Sequence, residues 1–87
     1  MEKKNYYEIL EECAAIAKER QAQYGSAGES IQLACDIADT AFGIKLTRSE
    51  LSKVLVALKL SREKFNHKPD NIKDCINYLA ISLNEQI

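Results

Sequence analysis

The chain has 87 residues, a formal net charge of −1 and 46% apolar residues. That length gives one domain, residues 1–87, near the lower end of what folds unaided, and the apolar share excludes a disordered tail. The balanced charge argues against broad nucleic-acid binding, which needs a basic surface.

Cys13, Cys35 and Cys75 are three in number and widely spaced. They form no CxxC or Cys/His cluster, so neither a zinc site nor a disulfide framework is indicated, and they read as buried, inert thiols. No stretch approaches the roughly 20 apolar residues of a membrane span. The opening run MEKKNYYEILEE carries acids where a secretory leader needs an apolar run. The chain therefore reads as a cytoplasmic protein with no membrane partner.

Four helices are predicted in chain order, and no segment alternates with period two for long enough to be a strand. Asn5 can cap the first, from about Tyr6 to Gln23, with Tyr6, Leu10, Cys13, Ala17 and Tyr24 as its stripe and Gly25 as its stop. Ser26 and Glu29 have the form of a capping box for the second. Its stripe is Ile31, Ala34, Cys35, Ala38, Ala41 and Phe42, and Gly43 ends it. Thr47 and Glu50 make a second capping box and open a third helix, Arg48 to Asn66. With about 100° per residue, Val54, Leu55, Leu58 and Phe65 fall within about 60° of Leu51, and Arg62 lies in the middle of that face. After the loop His67-Lys68-Pro69, Asp70 can cap a fourth helix with Ile72, Cys75, Ile76, Leu79 and Leu83 inward. Short connections give an antiparallel four-helix bundle. Asp74, Tyr78 and Ile81 lie opposite Ile72, and an aromatic and an isoleucine there point to a homodimer contact.

The polar residues on or beside these stripes are the candidate site. Arg20, Lys59 and Arg62 are cationic, and Asp70, Asn71, Asp74 and Tyr78 open the last helix. One reading is a structural network of Arg62 with Asp74, and Arg20 with Asp70 or a carbonyl, since a lone buried charge is very costly. The other is a cationic pocket holding phosphate oxygens, with backbone donors from the start of the fourth helix and Tyr24 placed to stack on a base. Glu8 and Glu11 project away from the Leu10 stripe and read as a solvated face. Asp36 and Asp39 have DxxD spacing, with only Asp39 near the inner edge, and Asp70 and Asp74 are the best placed acidic pair. These are too few to assign a metal site. His67 stands alone in a loop, so nucleophilic catalysis has no support and no catalytic residue is assigned.

The segments ERQAQYGSAGESI and LTRSELSKVLVALKLSREKFNHKPDNIKDCINYLAI resemble a family of small bacteriophage and prophage proteins of unassigned function. The resemblance lies in Arg20, Tyr24 and Gly25, then Lys59, Arg62 and Asn66, then Asp70, Asn71, Asp74 and Tyr78, and it covers about Glu19 to Leu83. The last helix is similar to phage nucleotide-modification-associated domains. More distantly, the architecture resembles the MazG-type all-α nucleoside triphosphate pyrophosphohydrolases, which implies a nucleotide and Mg²⁺. The sequence departs from the acidic motif of that group. Asp74 matches its final aspartate, but Asn71 stands where a glutamate would precede it, and the third helix carries Lys59 and Arg62 in place of ExxE. The resemblance thus implies a nucleotide or another phosphate-bearing ligand bound without catalysis. The rival expectation is a protein-interaction module, such as a phage inhibitor aimed at a host defence protein. No cofactor is named by either.

Overall fold

The computed structural model describes residues 3–85 and is all-helical. The helices are α1 (Tyr6–Tyr24), α2 (Ala27–Phe42), α3 (Arg48–Phe65) and α4 (Pro69–Glu85). Their ends are set by local chemistry. Gly25 and Gly43 take positive φ, 82° and 68°, where a side chain would be strained, and they stop α1 and α2. Thr47 and Glu50 form the full reciprocal capping box of α3: the Thr47 hydroxyl accepts from the Glu50 amide at 3.1 Å, and the Glu50 carboxylate accepts from the Thr47 amide at 2.9 Å. Ser26 makes only its half of such a box, at 3.4 Å. Asn5 makes no capping bond and donates to the Tyr7 hydroxyl instead. The fourth helix opens on Pro69 rather than Asp70, because proline's fixed φ and missing N–H suit a first helical position.

The α4 helix is the hub and packs against α3, α1 and α2. Its pairing with α3 is antiparallel: Ser49 meets Ser82, Val56 meets Cys75, and Lys59 meets Asp74. The α1 helix meets α4 near Lys73 and Asp74, where Cys13 reaches the Lys73 carbonyl and Lys73 pairs with Glu12 at 3.1 Å. At the other end, Arg48 of α3 bonds Gln32 of α2 at 2.9 Å and pairs with Glu85 at 3.5 Å. The result is elongated, with extents of 48 × 30 × 24 Å. No helix of the described residues is long and apolar enough to cross a membrane.

The helix faces differ from those the sequence predicts. On α3 the buried residues are Ser49 and Ser52, with Val56, Lys59 and Glu63 partly covered on the same side. The predicted inward stripe is turned largely outward: Val54, Leu58, Arg62 and Phe65 are exposed, Phe65 at 94%, while Leu51 and Leu55 are half-buried. The α4 helix is turned likewise. Asn71, Asp74, Cys75 and Ser82 are buried and Tyr78 and Ile81 half-buried, while Ile72, Leu79 and Leu83 are exposed. The face assigned to a dimer contact therefore lies largely inside the chain, and the face assigned to the core is split: Cys75 is buried and Ile76 half-buried, while Ile72, Leu79 and Leu83 lie outside. On α1 only Cys13 of the predicted stripe is buried, and on α2 Ile31 and Cys35 are. The small residues along the α3–α4 seam explain the choice, since serine and cysteine let two helix backbones approach closely.

Candidate functional site

The centre of the polar cluster is Asp74, whose side chain is 7% exposed. A buried carboxylate needs charge compensation and hydrogen bonds. It has both: Arg20 Nη1 from α1 lies 3.1 Å from Oδ1, and Lys59 Nζ from α3 lies 2.8 Å from Oδ2. Three helices are joined at this one carboxylate. The expected Arg62–Asp74 pair does not form. Arg62 sits on the outward stripe of α3, whereas Lys59, three residues earlier, lies on the side facing α4. Arg62 makes no ion pair among the described residues.

Two openings flank the Lys59–Asp74 bond. A cavity of about 290 Å³ is lined by Arg20, Tyr24, Asp70 and Asp74 with Ile16, Glu19 and Gln23. A larger cleft of about 710 Å³ lies at the α3–α4 corner, where Lys59, Arg62, Asn66, Asp70 and Asn71 meet Ser61, Phe65 and Lys68. Asp70 borders both. Eight of the nine predicted residues thus fall around two adjoining openings, and Tyr78 lines neither. Tyr24 is largely exposed at the rim of the smaller one. Asp70 and Asp74 share that cavity, and among the described residues no three His, Cys, Asp or Glu side chains converge as a metal site would require.

Several contributors are not evident from sequence. Glu63 holds the corner: its carboxylate accepts from the Lys68 amide at 2.9 Å and the Asn71 side chain at 3.2 Å, and it contacts His67 Nδ1. The His67 contact first, then the Lys68 amide, hold its carboxyl below the usual range. Asn71, buried, also reaches the Asn66 carbonyl at 3.4 Å, so it is first a fastener of the turn. Lys68 and Phe65 join the cleft wall, the one from what reads as a plain loop and the other from what reads as core. A glutamate one turn before His67 is the trace of its own role that the sequence carries. Burial raises the thiol pKa values of Cys13 and Cys75, in keeping with inert sulfurs.

The geometry defines an all-helical protein whose last helix carries a buried aspartate clamped by two cations, beside a cationic cleft. The chain belongs to the family described as a domain of unknown function, DUF6378, which it matches over residues 8–86. Comparison with curated proteins and with solved structures found no match.

Proposed function

We propose that the chain binds a small phosphate-bearing ligand, with a nucleotide as the leading class, in the cleft at the α3–α4 corner. The observation that carries this reading is Arg62, an arginine without an ion pair among the described residues, opening on the same cleft as Lys59 and Lys68. Guanidinium and ammonium groups in one concavity suit phosphate oxygens, and Arg62 is free to bind in a fork. The first turn of α4 borders the same cleft and adds the positive end of a helix. Phe65, beside Arg62 in the cleft wall, offers an aromatic face to a base. The volume lies within the range of small-molecule sites, about 300–1,000 Å³.

The reading is of binding rather than hydrolysis. Both carboxylate oxygens of Asp74 are held by cations, Arg20 and Lys59, whose positive charge disfavours a metal ion of the pyrophosphohydrolase type beside them. A second reading, a protein-interaction module such as a phage inhibitor of a host defence component, draws on the outward apolar residues of α3 and α4. Thermal-shift titration with nucleoside mono-, di- and triphosphates and inorganic pyrophosphate, with and without Mg²⁺, separates the two. Binding raises the melting temperature, with about 2.7 kcal/mol of stabilisation at 100 times the dissociation constant, and Arg62→Ala abolishes the rise. A chain unmoved by every phosphate compound, or an Arg62→Ala variant that responds like the wild type, overturns the proposal.

A further inference from the structure

The chain leaves outside what a domain of its size needs inside. Its buried apolar side chains among the described residues are Cys13, Ile31, Cys35 and Cys75, while Leu33, Ile37, Val54, Leu58, Phe65 and Leu79 are all exposed. A folded monomer of 9.8 kDa exposes about 5,200 Å². This chain exposes 6766 Å², an excess of about 1,600 Å² over that scaling. The radius of gyration, 14.2 Å, likewise exceeds the roughly 12 Å of a compact domain of this length.

We infer that the folded unit is a pair of identical chains joined through the outward stripe of α3, Val54, Leu58 and Phe65, and that the second copy closes the cationic cleft. Three arguments select a second copy over a foreign protein. The excess surface, taken from both chains, is about 3,200 Å², within the 2,000–5,000 Å² of obligate homodimers. The missing core is needed for folding itself, and a second copy is the one partner always present in equal amount. With a net charge of −1 per chain, two copies barely repel. The α3 stripe is chosen because it runs into the cleft. Arg62 lies on it between Leu58 and Phe65, and both Arg62 and Phe65 line the cleft. Phe65, the most exposed apolar side chain described, sits where the apolar stripe and the cleft wall meet. A two-fold pairing of α3 with its copy covers Phe65 and places a second wall beside the cleft mouth. Pairing stands without the ligand reading, whereas closure of the cleft rests on it.

Sedimentation equilibrium and urea unfolding across a hundredfold range of protein concentration test the pairing. The wild type sediments at twice the 9.8 kDa chain mass, and its unfolding midpoint rises with concentration. Leu58→Asp falls to the single-chain mass or fails to fold, under conditions where Ala57→Glu, exposed and off the stripe, stays folded and paired. A single-chain wild type with a concentration-independent midpoint overturns the inference and hands the stripe to another protein. A Leu58→Asp variant that remains paired overturns the assigned face. Closure is read on the wild type alone: inorganic pyrophosphate tightens pairing at least tenfold, because a ligand held by both chains must favour the pair. Pyrophosphate that binds without changing the pairing constant overturns closure and leaves the ligand reading standing. A proven pair that binds neither pyrophosphate nor any of the nucleoside phosphates overturns the ligand reading and closure together and leaves the pair.

Discussion

Replacing Lys59 by methionine is the sharpest probe of the cluster, because it removes one of two cations from a largely buried carboxylate. Asp74 is 7% exposed, Lys59 20% and Arg20 50%. Breaking a buried pair by deleting one partner costs about 3–5 kcal/mol. Arg20 remains, but its half-exposed contact is screened and returns about 1 kcal/mol at most. The expected loss is therefore about 2–4 kcal/mol, several times an ordinary surface change. Asp74→Asn should cost less, about 1–2 kcal/mol, since Arg20 has access to solvent and the lysine stem is flexible enough to seek it. The double variant should fall short of the sum by about 1–2 kcal/mol, because the stranded charge is gone. Urea denaturation at one fixed protein concentration measures all three, and Lys59→Met should lower the midpoint by about 1 M or more at a typical urea slope. Arg62→Met, which touches no partner of Asp74, should add to Asp74→Asn without the shortfall expected of Lys59→Met. Additive single effects, or a Lys59→Met variant as stable as wild type, would falsify the assignment of Lys59 as the main partner of Asp74.

The remaining predictions concern the corner, the cap and the thiols. The Glu63 carboxyl is held below its ordinary range by His67, Lys68 and Asn71, so its contribution is present above the unfolded carboxylate pKa and lost as pH falls through the lower folded value; Glu63→Gln should flatten that part of a stability profile between pH 6 and 2. Thr47→Ala removes the hydroxyl half of the α3 capping box and should cost about 1 kcal/mol in urea unfolding, with Thr47→Ser close to neutral. Cys13, Cys35 and Cys75 are buried, so a thiol reagent at pH 8 should label none of them rapidly in the native protein and all three in urea.

What the sequence makes legible is chemistry that acts within a few residues. The Thr47–Glu50 box, the stops at Gly25 and Gly43 and the break at Pro69 each depend on their own neighbours, and helix bounds follow from them to within a residue or so. Which way a helix turns depends on what it meets. The expectation that the most apolar face points inward holds when a chain supplies its own core. Here Ser49, Ser52, Cys75 and Ser82 line the seam, and Val54, Leu58, Ile72 and Leu79 look away from it. The site inherits the same rotation. Lys59 and Arg62 are nearly interchangeable in a list of cations, but turning α3 places Lys59 on Asp74 and leaves Arg62 to the cleft. The pairing of Arg20 with Asp74 joins the first helix to the last, and only the approach of α1 to α4 decides it.

The seam between α3 and α4 has a consequence for how accurately the cluster is set. Ser49 and Ser82 hydroxyls lie 2.7 Å apart in a buried position, and Ser82 also donates to the Ser49 carbonyl at 3.2 Å. Apolar side chains such as leucine tolerate sliding, because one methyl contact substitutes for another. A buried hydroxyl does not, since a shift of one turn, about 5.4 Å, strands it without a partner at a cost of about 1–3 kcal/mol. The serine pair thus works as the zero mark of a ruler along the hairpin. Ten residues further along α3, and eight back along α4, the same ruler brings Lys59 opposite Asp74. A change at Ser82 to valine, remote from every charged group of the cluster, would loosen that scale and blur the placement of the lysine at the far end.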